Sequence, residues 1–305
     1  MKKRHSKKQI DQIVKLKSSG LSWDAISKKF KGLTSNAVRK LYYRTVQKPS
    51  VKVLILDIES APIISHVWDI WEQNVALNQI QKDWHILSFS AKWLHSDEVI
   101  YKDQSNAKNI EDDKALLQEV WNLLDECDIC LTHNGIRFDI PKLNARFIQC
   151  GFPPPSSFRN IDTNRISRNK FNFTSTKLEY LSDKLCKKYK KSKHKKFPGH
   201  ELWTACLANN KEAWQEMKNY NELDVLALEE LYFKLIPWDN SINFSIYTET
   251  LDHTCSCGND NDFRHNGFVY TNTGKFKRLI CNKCGKESKE KKNLLSKEKR
   301  KSLRG

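Results

Sequence analysis

VKVLILDIES, residues 51–60, decides the fold. A near-continuous apolar run of this length reads as a strand covered on both faces of a sheet. Asp57 and Glu59 stand inside it, two residues apart. On a strand such residues point to the same face, so two carboxylates converge beside a core. Burying two like charges is costly unless a cation compensates them. Hard oxygen donors suit a divalent metal. The alternative is a strand that ends at Leu56, with both acids in a solvated turn.

Two further segments bear on that choice. DICLTHNGIRFDIPKLNARF (128–147) reads as strand, loop and helix, with Asn134, Phe138 and Asp139 at the junction. Asp139 also suits a plain helix N-cap. KEAWQEMKNYNELDVLALEELYFKL (211–235) reads as one long helix whose apolar stripe runs Met217, Tyr220, Ala227, Leu231 and Leu235. Asp224 falls on that stripe, four residues after Tyr220. An acid on the buried face of a helix needs a partner beyond a neighbouring hydroxyl.

LDIES, HNGIRFD and YNELD resemble the three motifs of the DEDD superfamily of 3′–5′ exonucleases, in its tyrosine-bearing subclass. Those motifs are Asp-x-Glu on the first strand, Asn-x-x-x-Phe-Asp, and Tyr-x-x-x-Asp on a late helix. The resemblance covers roughly 51–238 and takes in HILSFSAKW, FRNIDT with Asp162, and STKLEYLSDKL. It implies an α/β fold of ribonuclease-H-like type, a mixed five-stranded sheet flanked by helices. It also implies hydrolysis of nucleic-acid ends to nucleoside monophosphates with two Mg²⁺ or Mn²⁺ ions, which stabilise the attacking and leaving oxygens. By analogy Asp57 bridges both ions, Glu59 and Asp224 complete one site, and Asp139 acts mainly through water on the other. Tyr220 would position the attacking water. An ordinary tyrosine pKa of about 10 makes orientation a better role for it than base catalysis. Asn134 and Phe138 would hold the terminal nucleotide, although Phe138 fits a core position equally well.

The segments on either side differ in charge. The chain has 305 residues and a net charge of +17, yet residues 1–50 alone carry 14 Lys+Arg against 2 acids. Residues 251–305 carry 14 against 6, and the run 184–196 carries eight lysines and no acid. What remains is acidic. Basic attachments on an acidic body suit a polyanion such as nucleic acid, because lysine and arginine displace condensed counterions. A lysine-rich solvated surface is the plainer reading, and the 184–196 run also reads as a charged loop.

Residues 8–47 read as three short helices. Ile10, Ile13, Val14 and Leu16 share a face closed by Gly20; Ser22 caps a second helix with Trp23, Ile26 and Phe30; Ser35 caps a third with Val38, Leu41 and Tyr42 inward. This plan resembles a Myb or homeodomain-like helix-turn-helix, with Asn36, Arg39, Lys40, Tyr43 and Arg44 toward DNA. A helical bundle that binds protein is the alternative. At the other end, Cys255, Cys257, Cys281 and Cys284 flank a hairpin-like stretch and resemble a zinc ribbon holding one structural Zn²⁺. The first pair has one intervening residue where two are usual, which keeps His253 open as a substitute ligand; four unligated thiols in a flexible tail are the alternative. Cys127 and Cys130 read as core.

The expected organisation is a helix-turn-helix domain at 1–48, a ribonuclease-H-like exonuclease domain at 51–240, a zinc ribbon at 250–288 and a disordered basic tail at 289–305. DNA is the expected partner, as single-stranded 3′ ends or duplex, with RNA as the second substrate class. Any proofreading role needs a separate DNA polymerase. No run of 18 apolar residues exists, so no membrane is involved. The absence of a signal-like h-region and the odd cysteine total point to a cytoplasmic, nucleoid-associated protein or a viral one in the host cytoplasm. The competing classes are a ribonuclease-H-like endonuclease or transposase, and a DNA-binding regulator on an inactive core.

Overall fold

A computed structural model describes residues 7–30, 32–35, 37, 38, 41, 42, 51–190, 196–247, 254–260 and 262–303. The expected DNA-contact residues Asn36, Arg39, Lys40, Tyr43 and Arg44 lie outside the described residues, as do the linker 47–50, residues 191–195 of the lysine run and His253. Two compact units divide the chain, one of residues 52–241 and one of residues 1–51 with 242–305.

In the smaller unit, α1 (Lys7–Ser18) and α2 (Trp23–Ser27) bring Ile13, Ile26, Phe30 and Val38 into a buried cluster, with Leu41 and Tyr42 packed against it. Gly20, at φ +86°, ends α1: its N–H bonds Lys17 and the Leu21 N–H reaches back to Leu16, a six-to-one closure that requires the left-handed conformation. Ser22 caps α2 by accepting from the Ala25 N–H at 3.2 Å. The third cap differs from expectation. Thr34, not Ser35, accepts from the Ala37 N–H, while the Ser35 hydroxyl turns to the Asp24 carboxylate.

In the larger unit, the first strand β1 (Val53–Ser60) runs past Leu56 and carries both acids. After it, β2 (Ile64–Ser65) and β3 (Ile80–Lys82) form a short antiparallel arm. The main sheet is completed by β4 (Ile86–Trp93), β5 (Ile100–Asp103), β6 (Ile129–Thr132) and β7 (Arg159–Asp162), in the order β5-β4-β1-β6-β7. β4 and β5 pair antiparallel; β6 and β7 are parallel to β1. The sheet is thus mixed, five-stranded and of ribonuclease-H-like type.

Alternation along β1 assigns its two faces. Leu54, Leu56 and Ile58 join one core with Leu117, Val120 and Leu124 of α3 (Lys114–Glu126) and Leu143 and Phe147 of α4 (Asp139–Gln149). Cys127 and Cys130 belong to that core. The Asp113 carboxylate locks the layer together, accepting from the Ile86 N–H at 2.8 Å and from Arg146 Nε and Nη2 at 2.9 and 2.6 Å.

Four more helices follow in chain order: α5 (Thr163–Lys170), α6 (Leu178–Leu185), α7 (Glu201–Leu207) and α8 (Lys211–Leu235). The second core lies on the acid-bearing face, where Leu87 meets Leu202 and Cys206 of α7 and Ala213, Trp214 and Met217 of α8. An ion pair between Lys92 on β4 and Glu229 on α8, 2.7 Å long and nearly buried, registers the long helix on the sheet.

At the C-terminal end, β8 (Phe263–Thr271), β9 (Gly274–Cys281) and β10 (Glu287–Lys289) form an antiparallel sheet. The stretch after it, within the expected tail, is described through Leu303. Asn293 clasps the β8–β9 turn, accepting from the Lys275 N–H and donating to the Thr273 carbonyl, and Ser296 caps a final helix α9 (Lys297–Lys301). Side-chain-to-turn bonds of this kind leave no mark in a lysine-rich composition.

Candidate metal centre

Asp57 and Glu59 leave β1 on the face that α8 packs against, and Asp224 meets them from α8. One carboxylate oxygen from each of the three lies within 4.8 Å of the others. Asp224 is 1% exposed. At an effective dielectric of 20, each pair of unit charges at that separation repels by about 3 kcal/mol. Hard oxygen donors so arranged fit a divalent cation, which would remove that repulsion.

Asp139 stands apart from this trio. It is the first residue of α4, and its carboxylate takes its own N–H at the start of that helix. It also crosses to the sheet and accepts from the Ile58 N–H, between the two strand acids, at 3.1 Å. Burial pushes the carboxyl up to about 7, as desolvation disfavours the charged form. Tyr220 lies one helical turn before Asp224, buried, with its ring edge-on to Trp203 at 6.1 Å between centroids.

The loop before α4 is held from β7. Asp162 accepts from the backbone N–H groups of Asn134, Ile136, Asn164 and Arg165 at 2.9 to 3.3 Å. Asn134 has φ +69°, a conformation asparagine tolerates better than most residues. Gly135 has no substitute: a Cβ there would lie 2.3 Å from Thr132 Oγ1 and 2.4 Å from Thr132 Cβ. Gly135→Ala is therefore expected to cost about 1–3 kcal/mol in denaturant unfolding through overpacking, with the Asn134–Phe138 loop displaced. Unchanged stability would mean that the loop yields without strain. Phe138 is exposed, so its core alternative does not hold; Lys142 Nζ sits 5.1 Å from its ring centroid.

Sequence reasoning missed two groups that touch the acids. Asn221, fully buried, donates from Nδ2 to Asp57 Oδ2 at 2.6 Å. Trp203 donates from Nε1 to Glu59 Oε2 at 3.0 Å. Asn221 had a local signal, a polar residue three positions before Asp224 on the same helix face; Trp203 had none. Trp203 also lines a cavity of about 580 Å³ together with Ser60, Ile63, Trp84 and Lys142. The Lys142 ammonium lies over the Trp84 ring at 4.0 Å and donates to Ser60 Oγ, and burial lowers its pKa.

In the smaller unit, Cys255, Cys257, Cys281 and Cys284 bring their sulfurs within 4.8 Å of one another. Cys255–Cys284 and Cys257–Cys281 are 3.6 and 3.7 Å apart. Four thiolates about 2.3 Å from a tetrahedral ion stand roughly 3.8 Å apart, so the set fits such an ion. The single residue between Cys255 and Cys257 removes neither from the cluster. Asn259 Nδ2 donates to Cys281 Sγ at 3.2 Å and the Lys286 N–H to Cys284 Sγ at 3.4 Å, bonds that favour thiolate sulfur.

Residues 79–236 match the family model RNase_H_2, described as RNase_H superfamily. The chain belongs to the RNase H superfamily. It is 30% identical over 134 residues to the DNA polymerase III PolC-type of Ureaplasma parvum serovar 3 (strain ATCC 700970), a match of 43% of this chain and 9% of that protein's length. Among solved structures it resembles the family B DNA polymerase from the hyperthermophilic archaeon Pyrobaculum calidifontis, with 17% identity and a TM-score of 0.45 over 62% of this chain and 25% of that one. Nucleases of RNase H-like fold use divalent metals. No helix among the described residues is long and apolar enough to cross a membrane.

Proposed function

We propose that residues 52–241 are a metal-dependent nuclease that removes nucleoside monophosphates from the 3′ ends of DNA, and that the flanking segments hold the DNA. The convergence of Asp57, Glu59 and Asp224, one helical turn from Tyr220, carries this reading. Divalent ions held there would supply Lewis-acid stabilisation of the attacking and leaving oxygens. Asp57, Glu59 and Asp224 hold them, and Asp139 acts from beside Ile58 through water. The Tyr220 hydroxyl orients the attacking water. Phe138 and Asn134, exposed on the loop that Asp162 tethers, bracket the terminal nucleotide, and the cavity walled by Trp84 and Trp203 receives its base. Lys142, on that wall, offers its cation to a phosphate.

Residues 1–48, read as a helix-turn-helix, favour DNA over RNA as substrate, and the DNA polymerase relative points the same way. Cys255, Cys257, Cys281 and Cys284 would bind one structural Zn²⁺. The lysine run, whose described end is tied down by Lys187, Lys188 and Tyr189 N–H bonds to Glu230, would follow the phosphodiester backbone.

Purified full-length protein with Mg²⁺ or Mn²⁺ is expected to give a stepwise ladder from 3′ ends on end-labelled single strands and duplexes. Cleavage of closed circles would make it an endonuclease instead. Binding of DNA without hydrolysis of any substrate would make it a regulator.

A further inference from the structure

Asn221 and Trp203 lie outside the three carboxylate motifs, yet each donates to one of the strand acids. We propose that these two neutral side chains are positioning residues for the metal-binding carboxylates, Asn221 setting Asp57 and Trp203 setting Glu59. The proposal rests on the nuclease reading above.

The orientation of Asn221 is itself fixed. Its Oδ1 accepts from Ser88 Oγ at 3.4 Å, while Nδ2 bonds Asp57 Oδ2 at 2.6 Å and approaches the Asp57 carbonyl at 3.4 Å. Ser88 faces Glu59 in the β1–β4 register. One network thus runs from the second strand acid's cross-strand partner, through the α8 amide, to the first acid. The amide sits on the same helix as Asp224 and sets both acids from one rigid element.

Trp203 holds Glu59 from α7, on the other side. Its ring also packs edge-on against Tyr220 and forms part of the cavity wall. The indole therefore touches a metal-binding acid, the water-orienting hydroxyl's ring and the space where a base would sit.

The neutrality of both donors is the telling point. A lysine or arginine at these distances would orient a carboxylate but also cancel the charge that draws the metal. An amide or indole N–H fixes the rotamer and leaves the charge in place. The nearest cation of the cavity wall, Lys142, donates to Ser60 and not to Glu59. Partners that orient metal ligands are typically worth about 10–100-fold in metal affinity.

The test is Mn²⁺ alone, titrated into the zinc-loaded full-length protein and followed by the electron paramagnetic resonance of the unbound ion. Trp203→Phe keeps an aromatic ring and removes the N–H; Asn221→Leu keeps the volume and removes the amide. Each is expected to bind Mn²⁺ about 10–100-fold more weakly than the parent. The Mn²⁺ concentration for half-maximal hydrolysis by Trp203→Phe should rise in step with its weaker Mn²⁺ binding, whatever the maximal rate, a shift that a purely structural role would not give. Parent-like Mn²⁺ affinity in either variant overturns the proposal for that residue. If Asn221→Leu is isolated unfolded, Asn221→Ser replaces it and is held to the same outcome. Asp57→Ala separates the levels: if it binds Mn²⁺ as the parent does, the metal reading itself fails. If it loses Mn²⁺ while the two variants do not, only the positioning roles fail.

Discussion

Asp224→Asn is expected to abolish hydrolysis while raising the melting temperature measured in chelator. The two effects have one origin. A bound metal typically contributes several kcal/mol of transition-state stabilisation, so losing one ligand should lower the rate by roughly 10³–10⁴-fold. Without metal, however, Asp224 is a buried carboxyl within 4.8 Å of two others, and any charge it carries is opposed by theirs. Neutralising it removes two repulsions of about 3 kcal/mol each before relaxation and screening. A net gain of about 1–2 kcal/mol corresponds to a few degrees in a domain of this size. Mg²⁺ should then raise the melting temperature of the parent by linkage and leave the variant unchanged. Differential scanning fluorimetry with and without Mg²⁺, beside a nuclease assay, reads all three. An inactive variant that melts lower in chelator would make Asp224 a structural group and sink the metal reading. Combining Asp224→Asn with Asp57→Ala should cost little beyond either change alone, because residues that act as a unit are not additive.

Much of this centre was legible because its determinants are local. Two acids two residues apart in an apolar run can share only one face of a strand, and β1 presents them so. The helix Lys211–Leu235 spans the residues its periodicity predicts, with Asp224 buried on the stripe. Pairing across the chain was not legible. Asn221 meets Asp57 across 164 residues and Trp203 meets Glu59 across 144, and no local pattern encodes either contact. Asp139 shows an intermediate case. An acid opening a helix reads as a cap by propensity, and the carboxylate does take its own N–H, but the approach of β1 adds the Ile58 N–H, which no local pattern announces. At Thr34 and Ser35 two adjacent residues were equally able to cap, and the choice went to the one whose neighbour had Asp24 within reach. Asp162 was placed on a strand by sequence; two of its four N–H partners, Asn164 and Arg165, open its own helix, but its grip on Asn134 and Ile136 depends on a loop some 26 residues away.

Removing Zn²⁺ from the proposed four-cysteine site should have an equally large effect, on structure and not on chemistry. Among the described residues from 254 onward, the buried hydrophobic side chains are Cys255, Cys257 and Cys281. A segment whose own buried side chains are cysteines, with Phe244 packed at Gly258, has little apolar burial to offset the entropy of folding. Structural zinc supplies about 10–16 kcal/mol in comparable small sites at neutral pH, far more than this hairpin could gain by burial. Cys281→Ser is therefore expected to release the bound zinc and to erase hydrogen-exchange protection across Phe263–Cys281 and Glu287–Lys289. Stripping zinc from the parent with a chelator should give the same exchange pattern, and restoring zinc should reverse it in the parent alone. Amides of β1, β4 and β6 should keep their protection, because their core is apolar side chains contributed within residues 52–241. Protected β8 and β9 amides in the zinc-free parent would mean that the hairpin is held by its ladder and by Asn293. The four thiols would then be reactive groups in search of another role. A loss of DNA binding that tracks the loss of exchange protection would place the ribbon among the elements that hold the substrate. Unchanged DNA binding would leave that work to the N-terminal helices and the lysine run.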